Sequence, residues 1–502
     1  MIDARKGSPR GLAAWFMRRA HLSADRPALT FEGITWRYGV LADRIARLAA
    51  VLRAGGVGPG DRVGFLGFNH PDFITTLVAT AHVGGIFVPL NFRLTGAELG
   101  YIINDAGIHT LLVCREHLEL IEGVQDLPSV RQFIAVDGGL DALMTAALPD
   151  DDQAAVDEHD VAAIFYTSGT TGRPKGAMLT HQNIWANNLN WNLAFDVTGN
   201  DTMLTMAPLF HVGGLFVLTT STFLMGGHVV VLKSFDAGRV LADVEKYKVT
   251  ISFGVPAMML FVSQHERFQA ADLSSLRLFV AGGAPVPEPL LVSYAARGIP
   301  VSQCYGMSEV VSAATFLETD RARAKLNSAG RPVMLADVML IDVEGVRIET
   351  AGERGEICIR GDNVTPGYWN LPEATALSFA AEGWFRSGDI GYFDDEGFLY
   401  VCDRVKDMVI SGGENVYPAE VESVLFEHPA IANVAVIGAP DEKWGERVVA
   451  VAVLKPAASL TLDELQSFCD GRLARYKLPR ELRLMAALPL NASGKVLKRD
   501  LR

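Results

Sequence analysis

The chain has 502 residues, of which 49% are hydrophobic, 21% charged and 9% aromatic; this composition excludes a disordered chain and leaves room for roughly two to four domains. Its 48 glycines and 23 prolines carry no period, which excludes collagen-like and fibrous architectures. The net charge of −13, from 45 basic and 58 acidic residues, argues against a non-specific nucleic-acid binder or a coat for anionic membrane.

No basic-then-apolar leader opens the sequence; Gly11 to His21 reads as a short amphipathic helix. Leu41–Ala54 has apolar residues at helical spacing and stops at Gly55-Gly56. Arg62–Gly67 is a short apolar strand, Phe73–Val83 a helix ending at Gly84-Gly85, and Ile86–Leu90 a second strand. This alternation predicts an α/β layered domain over the first 160 residues, closed by the acidic connector Asp150-Asp151-Asp152. The alternation continues from Val161 to about Ala313. Within it, Val212–Leu232 lacks Asp, Glu, Lys and Arg, but Thr219–Thr222 and Gly226-Gly227-His228 interrupt it. It reads as a buried helix and a buried strand, Val229–Leu232, rather than a membrane span. From Gly330 to Val401 short strands with Gly and acidic turns (Val338–Ile341, Gly355–Ile359, Gly397–Val401) indicate a β-rich subdomain. The charged run Asp403-Arg404-Val405-Lys406-Asp407 is the expected boundary, giving domains 1–402 and 403–502. The second piece carries 14 basic and 14 acidic residues, so the acidity belongs to the first; within Gly471–Arg502, nine basic residues face two acidic ones.

Chemistry is concentrated in loops. Val161–Phe165 leads into Tyr166-Thr167-Ser168-Gly169-Thr170-Thr171-Gly172-Arg173-Pro174-Lys175-Gly176. Glycines allow backbone close to a ligand, hydroxyls donate, and two cations supply charge, which together suit a polyphosphate. Gly-Lys-Ser/Thr is absent and Pro174 disfavours a following helix, so this is not a Walker A loop. Ala281-Gly282-Gly283-Ala284-Pro285, after the strand Leu276–Val280, offers a slot for a flat ring or is a tight turn. In Gln303-Cys304-Tyr305-Gly306-Met307-Ser308-Glu309, Tyr305 could stack a base, and Glu309 could hold Mg²⁺ or be a solvated charge. Asp389, after the glycine of Trp384-Phe385-Arg386-Ser387-Gly388-Asp389, could take both ribose hydroxyls or serve the turn. Lys495, in Asn491-Ala492-Ser493-Gly494-Lys495, could reach a transition-state phosphate or be an exposed tail residue. There is no HExxH and no GxSxG elbow, and Gly56–Gly60 does not form a dinucleotide fingerprint. The five cysteines are scattered without a CxxC pair, which favours a reducing, cytoplasmic setting.

Taken in order and spacing, six of these runs resemble the adenylate-forming enzymes, the group that includes acyl-CoA synthetases: Tyr166–Gly176, Tyr305–Glu309, Trp384–Asp389, Asp403–Lys406, Ser411–Pro418 and Asn491–Lys495. The likeness spans about Leu12 to Lys498. Through Lys406–Glu420 and Asp441–Glu446 it is strongest to bacterial fatty-acyl-CoA ligases and feruloyl-CoA synthetases. It implies a large N-terminal domain of two layered α/β subdomains plus a β-rich subdomain, and a small mobile α+β C-terminal domain. It implies ATP, Mg²⁺ and coenzyme A with a small carboxylic acid: an acyl-adenylate forms first, then a thioester. No protein nucleophile is needed, only positioning and electrostatic stabilisation of oxygens.

Carried over residue by residue, the resemblance assigns Thr167, Ser168, Gly169, Thr170, Thr171, Gly172 and Lys175 to the phosphates. Thr170 and Glu309 are assigned to Mg²⁺. Gly283, Ala284 and Tyr305 are assigned to the adenine slot, Gly306 to the cofactor-binding residues, and Ser308 to the α-phosphate. Asp389 and Arg404 take the ribose; Gly412, Gly413 and Trp444 approach the pantetheine arm. Lys495 acts in adenylation and Lys406 is the hinge. His211 matches an aromatic position beside the acyl pocket and thiol path, or is a buried, satisfied histidine. Relatives that promote the thioester step with a lysine near Ile410 have no counterpart here. The acyl wall (Val212, Phe216, Phe253, Gly254, Val255, Met259, Ala281, Gly306, Met307) is apolar or small, which disfavours amino acids and short polar acids. A medium or long fatty acid is the expectation. Hydroxycinnamate is the alternative for the acid, and loading of a carrier protein the alternative for the thiol. A homodimer and peripheral membrane contact are left open.

Overall fold

The structure, a computed structural model, describes residues 7–124, 126–167, 173–404, 407–411, 414–441, 444–490 and 496–502. The side chains of Arg404, Ile410, Glu414, Asn415 and Arg499 lie outside that description. The chain divides into two compact units, one of Met1–Val338 with Ile359–Phe385 and one of Met339–Cys358 with Arg386–Arg502.

The first unit is built on two sheets. A six-stranded sheet runs in the order Gln132–Ala135, Ile108–Val113, Arg62–Leu66, Ile86–Leu90, Val161–Thr167, Lys175–Thr180. All neighbours are parallel except the last pair. Its strands are near-continuous apolar runs because helices cover them; Ile86–Leu90 is buried at every position. A nine-stranded sheet has a parallel centre: Val301–Tyr305, Leu278–Gly282, Ile251–Gly254, Thr202–Thr205, His228–Val231 and Pro27–Phe31. The antiparallel strand Ile34–Arg37 closes one edge, and Thr315–Phe316 with Arg331–Pro332 the other. The expectation of one layered domain over residues 1–160 is therefore corrected. Pro27–Phe31 pairs in parallel with His228–Val231, 198 residues away at Thr30–His228, while Val161–Thr180 returns to the first sheet. The core of the nine-stranded sheet is an apolar cluster around Leu204, Phe279, Met259 and Tyr294.

Most expected elements fall within a few residues of their sequence reading: Leu12–Leu22, Tyr38–Ala54, Arg62–Leu66 and Pro71–His82. Val212–Leu232 differs. It forms two short helices, Val212–Phe216 and Thr219–Met225, before the strand His228–Val231. The break falls at Leu218, which takes a φ of 71°, and the hydroxyls suspected of interrupting the segment start the second helix. Their bonds are internal: Thr219 donates to the Gly214 carbonyl and Thr220 to Asn188 Oδ1. Among the described residues no helix is long and apolar enough to cross a membrane.

The second unit carries the β-rich part and the C-terminal part together. One five-stranded sheet has the order Arg347–Ile348, Ala336–Ile341, Gly355–Gly361, Phe385–Phe393, Leu399–Arg404. The other runs Glu414–Val416, Val409–Ser411, Gly445–Leu454, Ile431–Asp441, with Glu481–Leu484 added in parallel to Gly445–Leu454. Helices Pro418–Phe426 and Leu462–Cys469 pack on it around Val421, Leu425, Val436 and Leu465. Asp403 Oδ2 accepts from the Ala419 amide at 2.8 Å, capping the start of Pro418–Phe426. The five cysteines are free thiols.

Candidate active site

The phosphate-loop candidate is the connection of a hairpin. Val161–Thr167 pairs antiparallel with Lys175–Thr180, and the pair nearest the loop is Thr167 opposite Lys175. Pro174 sits just before the return strand, where it need not donate to the ladder. Ser168, Gly169, Thr170, Thr171 and Gly172 lie outside the described residues. Both ends of the connection are anchored: Tyr166 donates to Asp105 Oδ2 at 2.6 Å, and Arg173 lies over the Tyr101 ring at 5.6 Å. Burial and the neighbouring Asp105 push the Tyr166 phenol well above its ordinary range, so it stays a donor at neutral pH.

The second loop leaves the strand Val301–Tyr305 and enters a short turn, Ser308–Val310. Tyr305, Gly306, Met307, Ser308 and Glu309 are half-buried along it. Gly306 cannot be another residue without moving the turn: a Cβ there would sit 1.9 Å from the Ser312 carbonyl oxygen. Ser312 is held from behind, accepting from Trp191 Nε1 at 3.0 Å and donating to Asn187 Oδ1 at 2.9 Å. The buried Asn363 donates to the carbonyls of Val310 and Ala313. The loop is thus fixed by side chains of the helix His181–Phe195 and of Asn363.

Glu309 is tied to the hairpin by a residue the sequence reading missed. Tyr368 donates to Glu309 Oε1 at 2.9 Å, and Lys175 Nζ lies 5.2 Å from the Tyr368 ring centre. The Glu309 carbonyl accepts from the Thr365 amide at 2.7 Å. The available signal was an aromatic residue in the polar turn Thr365-Pro366-Gly367-Tyr368-Trp369. A carboxylate oxygen suits Mg²⁺, which takes one or two protein carboxylates and completes its shell with water and phosphate oxygens. Glu309 therefore fits that ion; its expected companion Thr170 is outside the described residues. Among the described residues no group of three His, Cys, Asp or Glu side chains gathers as a metal cage.

The ring-slot and acyl-wall candidates share one end of the nine-stranded sheet. The strand expected over Leu276–Val280 runs instead over Leu278–Gly282, so Ala281 and Gly282 belong to it, while Gly283 (φ +85°) and Ala284 are exposed just beyond. Phe253, 6% exposed, packs so closely that a Cβ at Gly213 would be 2.9 Å from its ring and one at Gly282 3.2 Å. Gly254, Val212, Phe216 and Ala281 are buried, and Met259 is wholly enclosed in the core cluster with Tyr294. His211 is exposed rather than buried; its Nδ1 accepts from the Gly213 amide at 3.2 Å and so caps Val212–Phe216. The turn leading to it is pinned by buried Asn69, which accepts from the Leu209 amide at 2.7 Å and donates to the carbonyls of Ala207 and Leu232 at 3.0 Å.

The remaining candidates belong to the second unit. Asp389 was expected just after a glycine turn. It lies instead inside the strand Phe385–Phe393, opposite Arg404 in the antiparallel register. Gly388, at φ 70°, donates to Glu356 Oε1 at 3.2 Å within that strand, and Asp389 is 6% exposed. The side chain of Arg404 is outside the description. Trp444 is half-buried with Arg480 over its ring at 4.8 Å, and its amide donates to Asp441. Lys406, Gly412, Gly413 and Lys495 lie outside the described residues. The neck of the Lys495 turn is described: Leu490 bridges Val496, and the Leu497 amide donates to the Pro489 carbonyl at 2.8 Å.

A glycine-hydroxyl hairpin with a cation at its neck, a carboxylate suited to Mg²⁺ and a small-residue slot at a parallel sheet's carboxyl end are the features of a nucleotide-binding protein. Comparison with known proteins agrees. The profile of the AMP-binding enzymes matches residues 16–369, and that of the AMP-binding enzyme C-terminal domain matches residues 420–495. The chain belongs to this family, as an ATP-dependent acid–CoA ligase that uses ATP, Mg²⁺ and coenzyme A. It is 44% identical over 492 residues to a feruloyl-CoA synthase from an Amycolatopsis species, covering 98% of each chain. It is 40% identical over 462 residues to the long-chain-fatty-acid–CoA ligase FadD13 of Mycobacterium tuberculosis, covering 91% and 90%. Its fold matches the o-succinylbenzoate CoA synthetase of Bacillus subtilis in complex with the acyl-adenylate intermediate at a TM-score of 0.87, with 35% identity over 97% of each chain.

Proposed function

We propose that the acid is an aryl acid of the hydroxycinnamate type. The observation that carries this reading is the packing of the acyl wall. Val212, Phe253, Met259 and Ala281 are each no more than 6% exposed, and Phe253 presents its ring between two glycines. Phe253 is itself covered, so any acyl group must displace neighbours; a compact planar one displaces fewer and then meets the ring in offset or edge contact. A long chain needs several of these side chains to move out of a close-packed core. Likeness to the feruloyl-CoA synthase supports the same reading. A medium- or long-chain fatty acid is the second reading, supported by likeness to FadD13 and by Leu260 and Phe261, exposed on the helix beside Met259.

The residue roles follow the chemistry. The acid's carboxylate oxygen attacks the α-phosphorus of ATP, an O–P bond forms, and pyrophosphate leaves. Lys175 and the 168–172 connection hold the departing phosphates, and Ser308 donates to the α-phosphate. Glu309 and Thr170 hold Mg²⁺, which neutralises phosphate oxygens when bound. Gly283, Ala284, Tyr305 and Gly306 take the adenine, and Asp389 with Arg404 the ribose. Lys495 supplies a cation to the oxygens that gain charge. The CoA sulfur then attacks the acyl carbon and AMP leaves, with Gly412, Gly413 and Trp444 on the pantetheine arm and His211 beside the thiol path. Lys406 is the pivot between a domain of residues 1–402 and one of 403–502. A cytoplasmic setting fits the free thiols.

The test is a panel of octanoate to palmitate together with cinnamate, coumarate and ferulate, each with ATP, Mg²⁺ and CoA, read by AMP release and thioester formation. At least one aryl acid is expected to exceed every fatty acid in kcat/KM by roughly tenfold, about 1.4 kcal/mol of differential transition-state binding. Fatty acids faster than all three aryl acids overturn the aryl reading. Acyl transfer to a free carrier protein but not to CoA overturns the choice of thiol.

A further inference from the structure

Tyr368 joins two groups that are 134 residues apart in sequence at Lys175 and Glu309. The turn Thr365–Trp369 runs along the edge strand Lys175–Thr180. Met178 donates to the Gly367 carbonyl at 3.0 Å, the Trp369 amide donates to the Gly176 carbonyl at 2.8 Å, and Ala177 bridges Tyr368. This backbone pairing aims the Tyr368 ring under Lys175 Nζ, 5.2 Å from its centre, and the hydroxyl at Glu309 Oε1, 2.9 Å away. The Tyr368 amide donates to Oγ1 of Thr375, in the helix Pro372–Leu377, at 2.9 Å, so the backbone is held without help from the side chain.

We propose that Tyr368 is a positioning residue that sets the separation of the phosphate-side cation and the metal-side carboxylate, and thereby couples Mg²⁺ to ATP binding. The inference rests on the roles given above to Lys175 and Glu309. The hydroxyl engages one oxygen of Glu309 and fixes the plane of the carboxylate. The ring face attracts the ammonium and keeps it beside the same group. A ligand that binds metal and phosphate together then meets both charges already oriented, without ordering two flexible side chains first. Two substitutions separate the parts: Tyr368→Phe removes the hydroxyl and keeps the ring, and Tyr368→Leu removes both.

The experiment is isothermal titration of the full chain with ATP in EDTA and with ATP at graded Mg²⁺, with thermal unfolding recorded for each protein. In Tyr368→Phe, ATP affinity in EDTA is expected to stay within about twofold, while the Mg²⁺-dependent gain falls roughly tenfold, the order of one charge-assisted hydrogen bond. In Tyr368→Leu, ATP affinity in EDTA falls as well, by roughly threefold to fivefold, as the cation–π contact is lost. On a Glu309→Gln background, Tyr368→Phe is expected to add nothing. An unchanged Mg²⁺-dependent gain in Tyr368→Phe overturns the proposal, as does an equal loss with and without Mg²⁺. Failure of the unsubstituted chain to bind ATP would instead overturn the assignment of Lys175 and Glu309.

Discussion

Replacing Lys498 by Met removes the cation from an ion pair in the interior of the C-terminal unit. Lys498 Nζ lies 2.8 Å from Glu422 Oε1, and the two side chains are 16% and 19% exposed. The same carboxylate oxygen accepts from the Val436 amide at 2.7 Å. Without the lysine, Glu422 keeps one neutral donor in a site mostly closed to water. Breaking a fully buried pair costs about 3–5 kcal/mol; the residual exposure and the retained amide put this pair at the low end, about 3 kcal/mol. Burial raises the Glu422 pKa above its ordinary value even with Lys498 in place, and loss of the lysine raises it further. A folded-state pKa above the unfolded value means that the folded state binds the proton more tightly. The destabilisation is therefore full above the raised pKa and shrinks as pH falls toward the ordinary carboxyl value of 4.5.

Amide hydrogen exchange in the strands Ile431–Asp441 and Gly445–Leu454, with each variant compared to the unsubstituted chain at the same pH, reads this directly. At pH 8 protection should fall by roughly a hundredfold, the equivalent of about 3 kcal/mol; at pH 5.5 the loss should be clearly smaller. Glu422→Gln, which deletes the charge and keeps an acceptor, should lose less and show little pH dependence. An equal loss at both pH values would mean that packing rather than an unpaired charge is responsible, and would refute the reasoning. Because the Lys495 turn lies between Leu490 and Val496, just before this anchor, the same variant should also slow adenylate formation.

Gly306→Ala forces a Cβ to 1.9 Å from the Ser312 carbonyl, so the Tyr305–Glu309 turn must open at a cost of about 1–3 kcal/mol; ATP affinity by titration should drop at least tenfold, with only a modest change in thermal midpoint. Acid should destabilise the first unit through its buried imidazoles. Burial depresses His181 and His228 to a pKa of about 4, so between there and about 6.5 the unfolded chain binds protons that the folded chain does not. The thermal midpoint should fall from pH 7 to pH 5, and a His181→Asn, His228→Asn double variant should show a flatter slope.

Local order was legible wherever a short-range rule decides it. Helix ends at Ala54 and His82 followed from Gly55-Gly56 and Gly84-Gly85, and the absence of a helix directly after Pro174 from the missing amide of proline; that the segment is a hairpin did not. The loops Tyr305–Glu309 and Ser168–Lys175 stood out because glycine, hydroxyl and charge together serve few purposes other than binding an anion. Partnership between distant segments was not legible. Nothing near Pro27 says that its strand pairs with His228–Val231, because a parallel neighbour is chosen by whichever helices and crossovers fill the space between. Asp389 looked like a turn residue since a glycine precedes it, yet Gly388 bends within a strand and the carboxylate is buried.

From its residue types the sequence by itself determined a polyphosphate-binding loop; that the chain is an ATP-dependent acid–CoA ligase followed from the resemblance of its ordered motifs to the adenylate-forming enzymes and from the match to the AMP-binding family. Only the tertiary structure brought Tyr368 beneath Lys175 and against Glu309, closed Lys498 onto Glu422, set Asn69 behind the His211 turn and packed Phe253 between Gly213 and Gly282. Each of these contacts joins side chains that are remote in sequence or separated by a fold of the backbone. Their energies depend on distance and burial, which arise when sheets stack and helices cover them, and which no local pattern encodes.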